Sequence, residues 1–165
     1  MKKIVFVRHG KAEEEYHGIN DFERSLTASG KKISSKMADI FALKEKSPGL
    51  FISSPAFRAI ETAMIFAAHS EISYDSILLR STLYFNANAE NLMELLSEDA
   101  AGYDSVTLFG HNPSFSDMAY ELCSGGCDQM PKSGVIGISF NVKSWDEITK
   151  GTGKQEYFLK PEKLL

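Results

Sequence analysis

Hydrophobic residues along the chain follow two patterns. Short unbroken apolar runs predict buried strands at residues 4–7, 50–52, 77–79 and 106–109. The segments between these runs repeat apolar residues every three or four positions, which is typical of helices with one buried face. Strands that alternate with helices in this way predict an α/β fold.

Polar residues mark the expected beginnings of the helices. Thr27 and Asn88 carry side chains that favour the N-cap position. Ser54 and Asn112 are each followed by a proline, and a capping residue followed by proline favours a helix start. Residues 11–26 show no clear periodicity, and we expect an ordered loop there.

The last part of the chain has a different pattern. Residues 135–142 and 156–159 predict two strands joined across a turn at residues 151–154, which indicates an antiparallel hairpin. Together these segments predict a three-layer sandwich with a mainly parallel central sheet, helices on both faces and a C-terminal antiparallel hairpin. We expect a single domain over residues 1–165.

Composition and charge narrow the class of protein. The chain has 165 residues and a net charge of −4 at pH 7, so no broad basic surface for nucleic acid is expected. No apolar stretch is long enough to span a membrane. The apolar run near the N-terminus is too short for a signal peptide and is interrupted by Arg8. We therefore expect a cytoplasmic protein with no membrane partner.

The two cysteines, Cys123 and Cys127, do not indicate a disulfide scaffold. Their spacing would suit half of a metal site, but no second pair of cysteines or histidines at ligand spacing accompanies them. We therefore expect two reduced thiols, no metal and no cofactor.

Chemically active side chains follow three of the predicted strands. Arg8, His9 and Gly10 come directly after the first strand. Arg58 lies in the first turn of the helix predicted after the second strand, and His111 follows the fourth strand. Because the carboxyl ends of parallel strands meet at one edge of a sheet, these side chains are expected to converge there. Two guanidinium and two imidazole groups would then form a cationic pocket for a compact anion such as phosphate.

These segments resemble the motifs of the histidine phosphatase superfamily, which has the phosphoglycerate mutase-like fold. The three motifs are Arg-His-Gly at residues 8–10, Ser-Pro with Arg-Ala and Glu-Thr-Ala within residues 54–63, and Gly-His-Asn-Pro at residues 110–113. Asp-Phe-Glu-Arg-Ser-Leu-Thr at residues 21–27 and Phe-Leu-Lys-Pro at residues 158–161 are similar to small phosphohistidine phosphatases of the SixA type. The resemblance covers most of the chain, in the same order and spacing.

The resemblance implies a metal-independent phosphatase that forms a covalent phosphohistidine intermediate. His9 would be the nucleophile, and its ring must be neutral to attack phosphorus. Nearby guanidinium groups are expected to lower its pKa, and a backbone carbonyl to fix its tautomer. Three further residues would complete the catalytic set: Arg8, Arg58 and His111. Substrate binding would involve Arg24, Gly10 and Asn112.

The chain departs from the family after the third predicted strand. Many members that act on phosphate esters carry a glutamate there, which protonates the leaving alcohol, whereas residues 79–86 here contain no carboxylate. The imidazole of phosphohistidine leaves more readily than an alkoxide, so this difference favours phosphohistidine in a protein as the substrate. Asp21 and Glu13 are candidate proton donors.

The sequence leaves two alternatives to a phosphohistidine phosphatase open. The first is a phosphomonoesterase of small phosphate esters with a substitute acid, and the second is a catalytically weak phosphate-binding protein. The expected partner is accordingly a phosphorylated protein or a small phosphate ester. His17 and His69 match no motif and are expected to be structural or solvated, and Arg80 is expected to lie on the surface.

Overall fold

A computed structural model describes residues 1–16 and 18–165 of the chain. His17, expected to be structural or solvated, lies outside the described residues. Within the described ranges, no helix is long and apolar enough to cross a membrane.

In the described part of the chain, six strands form one mixed sheet in the order β3-β2-β4-β1-β5-β6. They are β1 (Lys2–Arg8), β2 (Leu50–Ser53), β3 (Leu78–Leu79), β4 (Ser105–Gly110), β5 (Val135–Phe140) and β6 (Lys154–Leu159). β4 pairs in parallel with β1 and β2, and β2 pairs in parallel with β3. β5 runs antiparallel to both β1 and β6. The predicted α/β fold with a C-terminal antiparallel hairpin is confirmed.

Helices cover both faces of the sheet. They are α1 (Ala28–Lys44), α2 (Phe57–His69), α3 (Ala89–Asp99), α4 (Ser114–Leu122) and the short α5 (Pro161–Leu164). α1 and α2 contribute to a core cluster on one face that includes Phe41, Phe66 and Phe109. α3 and α4 contribute to the other cluster, which includes Leu96 and Phe115. The two clusters make the sheet the middle layer of a three-layer sandwich.

Two of the predicted helix caps are confirmed. The side-chain oxygen of Thr27 accepts a hydrogen bond from the Gly30 amide at 3.0 Å. The side chain of Asn88 accepts one from the Asn91 amide at 2.9 Å. Each bond satisfies a backbone N–H group that the first turn of a helix leaves unpaired. The beginnings of α1 and α3 therefore follow from the local sequence.

The predicted start of α2 is wrong by a few residues. α2 begins at Phe57, with Ala56 at the N-cap position, and Ser54 lies before it in the loop after β2. The Ser54 hydroxyl accepts a hydrogen bond from the Ala56 amide at 3.2 Å and lies 2.8 Å from Nε2 of His111. Ser54 thus connects two strand ends, a contact that the local sequence does not reveal.

The carboxyl ends of three neighbouring strands position the residues of interest. Arg8 at the end of β1 is in register with Gly110 at the end of β4. Ser53 at the end of β2 is in register with Phe109 of β4. The loops that follow these strands therefore leave the sheet at the same edge, where open α/β sheets bind ligands.

Candidate active site

His9, Arg58 and His111 lie together at this edge of the sheet. The ring centroids of His9 and His111 are 5.1 Å apart. Nε of Arg58, in the first turn of α2, lies 3.4 Å from Nε2 of His9. The side chains of His9 and Arg58 are buried. The convergence expected from the strand order is present in the structure.

One hydrogen bond sets the tautomer of His9. Nδ1 of His9 lies 2.7 Å from the carbonyl oxygen of Gly10. Because a carbonyl oxygen only accepts hydrogen bonds, Nδ1 carries the ring proton. In the neutral ring, Nε2 therefore has the free electron pair, and it faces Arg58.

Burial lowers the pKa of His9 to about 4, so the ring is neutral at pH 7. The hydrogen bond to Gly10 opposes this effect, and the charges of Arg58, Arg8 and Arg24 add to it. The arginine charges lower the pKa of His9 as predicted, but loss of water around the ring is the larger cause.

His111 presents a second neutral imidazole to the same cleft. Burial, the neighbouring His9 and the charge of Arg58 lower its pKa to about 3. When the Ser54 hydroxyl donates its proton to Nε2 of His111, the ring proton of His111 lies on Nδ1. Nδ1 is buried and has no hydrogen-bond partner in the described part of the chain.

Arg8 also brings a buried polar group without a partner. Its Nη1 donates to the backbone carbonyl of Met130 at 2.9 Å. Its Nε is buried and unpaired within residues 1–16 and 18–165. Unpaired buried N–H groups are uncommon in folded proteins, and an anionic ligand would satisfy the two found here on Arg8 and His111.

Asn112 and Gly10 are close to the site, and both make structural contacts. The side chain of Asn112 donates to the Met130 carbonyl at 3.1 Å and accepts from the Ser116 amide at 3.3 Å. The amide of Gly10 donates to the hydroxyl of Thr62 at 3.1 Å. A side chain on Gly10 would meet neighbouring atoms at 2.5 Å. Contact of these two residues with substrate stays a prediction.

The carboxylate of Asp21 accepts hydrogen bonds from two arginines and a tyrosine. Its Oδ2 accepts hydrogen bonds from Nη2 of Arg58 at 3.0 Å and from the hydroxyl of Tyr84 at 2.6 Å. Its Oδ1 accepts from Nη1 of Arg24 at 2.8 Å. The backbone carbonyl of Asp21 accepts from Nη1 of Arg58 at 2.6 Å. Arg24 and Arg58 are therefore held on one anion.

The protonation state of Asp21 affects its expected role as a proton donor. Partial burial would raise its pKa, but the hydrogen bonds from Tyr84, Arg24 and Arg58 hold the pKa well below its usual range. Asp21 is therefore ionised at neutral pH and must first lose partners before it can deliver a proton. Glu13, the other candidate, has an exposed side chain and contributes its backbone carbonyl to Nε of Arg24 at 2.6 Å. The identity of the proton donor stays a prediction.

Sequence reasoning missed Tyr84, Ser54 and Met130. Tyr84 lies within residues 79–86, and its hydroxyl group is a sequence signal for a side chain with a transferable proton. Ser54 is predicted from its sequence to be a helix cap, which does not indicate its contact with His111. Met130 contributes only a backbone carbonyl, for which no sequence signal exists.

His69 lies elsewhere, on the surface formed by α1 and α2. Its Nε2 is 3.0 Å from the Ser35 hydroxyl and its Nδ1 is 2.6 Å from Oδ1 of Asp39. These two contacts support the structural role expected for His69. Arg80 pairs with Asp99 at 2.7 Å, and its side chain is 39% exposed.

Residues 4–78 match the family model of the histidine phosphatase superfamily, branch 1. No curated protein matches the sequence. Many solved structures share the fold, and three of them are described here. SixA from Agrobacterium tumefaciens is 23% identical, with 97% of this chain and 98% of that chain covered and a TM-score of 0.78. The protein histidine phosphatase SixA complexed with tungstate is 22% identical, with 99% of each chain covered and a TM-score of 0.76.

The third is a mycobacterial glucosyl-3-phosphoglycerate phosphatase in complex with VO3, which is 15% identical. The match covers 97% of this chain and 100% of that chain, with a TM-score of 0.69. At such identities the structures establish the fold alone. Residues 4–78 are therefore similar to the histidine phosphatase superfamily, and the chain has the fold of the SixA structures.

Proposed function

We propose that this protein is a metal-independent phosphatase that uses His9 as its nucleophile and removes the phosphoryl group from phosphohistidine in a protein. One observation carries the proposal. The bond from His9 to the Gly10 carbonyl leaves an unprotonated Nε2 beside Arg58, in a ring whose pKa is about 4. A neutral imidazole held in place beside a guanidinium group is suited to attack a phosphoryl group.

The first chemical step transfers the phosphoryl group to His9. The electron pair of Nε2 forms a bond to phosphorus, and the bond from phosphorus to the substrate's ring nitrogen breaks. The electron pair of that bond goes to the leaving nitrogen, which takes up a proton. Arg8, Arg24 and Arg58 would stabilise the negative charge on the phosphoryl oxygens, as the charges of guanidinium groups do in other phosphoryl transfers.

The second step regenerates His9. Water attacks phosphorus, the bond to Nε2 breaks, and inorganic phosphate leaves with the water oxygen. Nδ1–H of His111 would donate a hydrogen bond to a phosphoryl oxygen in both steps. Tungstate and VO3, bound in two proteins with the same fold, are oxyanions like phosphate, which supports an oxyanion site in this fold.

The choice of phosphohistidine over an ester rests on the proton donors. An alkoxide leaving group requires an acid that is protonated at neutral pH. Asp21 is ionised in its present contacts. Tyr84 keeps its proton at neutral pH but is a weak acid, because its hydrogen bond to Asp21 and burial raise its pKa. An imidazole leaving group depends less on such an acid. A phosphomonoesterase is the second candidate, favoured by the fold shared with a glucosyl-3-phosphoglycerate phosphatase.

The test is phosphate release, in the presence of a chelator, from a phosphohistidine-bearing protein and from an aryl phosphomonoester. We expect release by the wild type and by His69→Ala, which serves as a matched histidine control, and no release by His9→Ala. Faster turnover of the ester would favour the second candidate. Equal rates for the wild type and His9→Ala on both substrates would contradict catalysis and leave a phosphate-binding protein.

A further inference from the structure

Aromatic side chains border the candidate active site on one side. Phe57, Phe22, Tyr84 and Phe85 form a continuous row, with neighbouring ring centroids 6.1, 5.5 and 4.6 Å apart. The ring of Tyr84 lies 5.4 Å from that of His111, so the row contacts the site through Tyr84. The outer members are open to solvent, with Phe57 41% and Phe85 59% exposed. We call this row the aromatic rim.

An exposed aromatic row is unusual beside a pocket for a small anion. Single exposed apolar residues are common on protein surfaces, but contiguous ones mark contact surfaces. Aromatic residues are also enriched where proteins bind one another. A free phosphate or a small phosphoramidate is too small to reach from His9 to Phe85 and gains nothing from the rim. The rim therefore indicates that the phosphoryl group arrives on a larger molecule.

The aromatic rim continues into an acidic groove. Phe85 lines a groove of about 350 Å³ beside α3, together with the side chains of Glu94 and Glu98. These two glutamates are one helical turn apart and both are exposed. The charge thus changes from positive in the pocket at Arg8 and the buried Arg58 to negative in the groove. A ligand that fits both parts carries an anionic group at one end and a cationic group at the other.

We propose that the aromatic rim and the acidic groove together dock the protein substrate, and that this substrate carries a lysine or arginine and an apolar side chain close to its phosphorylated residue. The inference rests on the proposed function and names the kind of protein on which it acts. Charge complementarity selects the occupant, because Glu94 and Glu98 attract a basic side chain and repel an acidic one. The apolar side chain would cover Phe85 or Phe57.

Docking of this kind acts on the protein substrate alone. The phosphate pocket contributes equally to every phosphorylated compound, whereas the rim and groove add contacts only for a substrate that extends over them. Changes in the groove should therefore alter kcat/KM for a protein or peptide and leave a small phosphoramidate unaffected. They should act mainly through KM, since Glu94 and Glu98 contribute no group to the reacting atoms.

The experiment compares phosphohistidine peptides of one sequence in which the residue beside the phosphohistidine is Lys, Gly or Glu, with Leu on the other side. For the wild type we expect kcat/KM to be about ten-fold higher for the Lys peptide than for the Glu peptide, the size of one favourable charge contact. The double variant Glu94→Lys/Glu98→Lys should reverse this order. Phe85→Ser should lower kcat/KM for all three peptides. Small phosphoramidate is the internal control for each variant.

Matched control variants lie on other surfaces. Leu43→Ser changes an exposed apolar residue on α1, and Glu162→Lys changes an exposed charge on α5. Both should keep the wild-type order of peptides. A wild type that turns over phosphoramidate but does not distinguish Lys from Glu, or a groove variant with unchanged order, would overturn the docking proposal. Absence of turnover of phosphoramidate itself would instead count against the proposed function.

Binding measured without turnover separates the two proposals further. Fluorescence anisotropy of the same peptides with His9→Ala reports docking even if catalysis is absent, and the Lys peptide should bind more tightly than the Glu peptide.

Sedimentation velocity tests whether a second copy of the chain occupies the aromatic rim instead. A dimer that dissociates on Phe85→Ser would show that the rim is a subunit contact and would also overturn the proposal.

Discussion

The hydroxyl group of Tyr84 donates a hydrogen bond of 2.6 Å to the carboxylate of Asp21. The same carboxylate holds Arg58 and Arg24 at 3.0 and 2.8 Å. A side chain from the loop after β3 therefore helps to fix the anion that orients both arginines. The edge of its ring also packs against His111, so Tyr84 contacts two parts of the candidate site at once.

Tyr84→Phe tests whether this bond orients the arginines. The change removes one hydrogen bond to a charged group and keeps the ring, so we expect kcat/KM for a small phosphoramidate to fall about ten-fold. If Tyr84 acts through Asp21, the losses in Tyr84→Phe and Asp21→Asn will not add in the double variant. Additive losses would mean that the two side chains act independently.

The protonation state of His9 is open to direct measurement. Nitrogen chemical shifts in NMR should show a neutral ring protonated at Nδ1 at pH 7, with a titration midpoint near pH 4. Because burial is the larger cause, Arg58→Gln should raise this pKa only part of the way to its ordinary value of 6.5. A full return to that value would show that charge, and not burial, dominates.

Stability should depend on pH through the same ring. The pKa of His9 is 6.5 in its ordinary state and about 4 in the folded protein, so between these values the unfolded chain binds a proton that the folded chain does not. The free energy of unfolding should therefore decrease as pH falls from 6.5 towards 4, by up to about 1.4 kcal/mol per pH unit for this group. The decrease in the free energy of unfolding between pH 6 and pH 5, measured by urea denaturation, should be smaller for His9→Ala than for the wild type. An equal decrease in both proteins would contradict a buried neutral His9.

Ser54 provides a test of the orientation of His111. Ser54→Ala removes the hydroxyl 2.8 Å from Nε2 of His111, and we expect kcat to fall about five-fold because loss of a buried hydrogen bond costs on the order of 1 kcal/mol. Ser53→Ala is the matched control, since the buried Ser53 hydroxyl bonds only to a backbone carbonyl. A loss of the same size in both variants would point to a general effect on the fold.

The central part of the candidate site could be predicted from the sequence because it depends on local pattern and on one topological rule. Short apolar runs indicate the strands, and parallel strands bring their carboxyl ends together. His9, Arg58 and His111 could be placed near one another in this way. The fold itself followed from the same alternation of strands and helices.

The surroundings of these residues could not be predicted, because they depend on contacts distant in sequence. Tyr84 meets Asp21 across 63 positions, and the Met130 carbonyl meets Arg8 across 122. Neither contact leaves a periodic pattern. The ionised state of Asp21 likewise depends on the number of donors around it, which only the folded structure reveals.

Because β1 lies inside the sheet, the candidate site has two parts that differ in how easily they open. β1 lies between β4 and β5, so its backbone is hydrogen-bonded on both sides up to the residue before His9. Breaking those bonds requires unfolding much of the sheet, whereas Asp21 and Tyr84 lie outside it and are joined by side-chain contacts. Local opening around Asp21 and Tyr84 would therefore leave His9 in position, because the two parts differ in the free energy of opening.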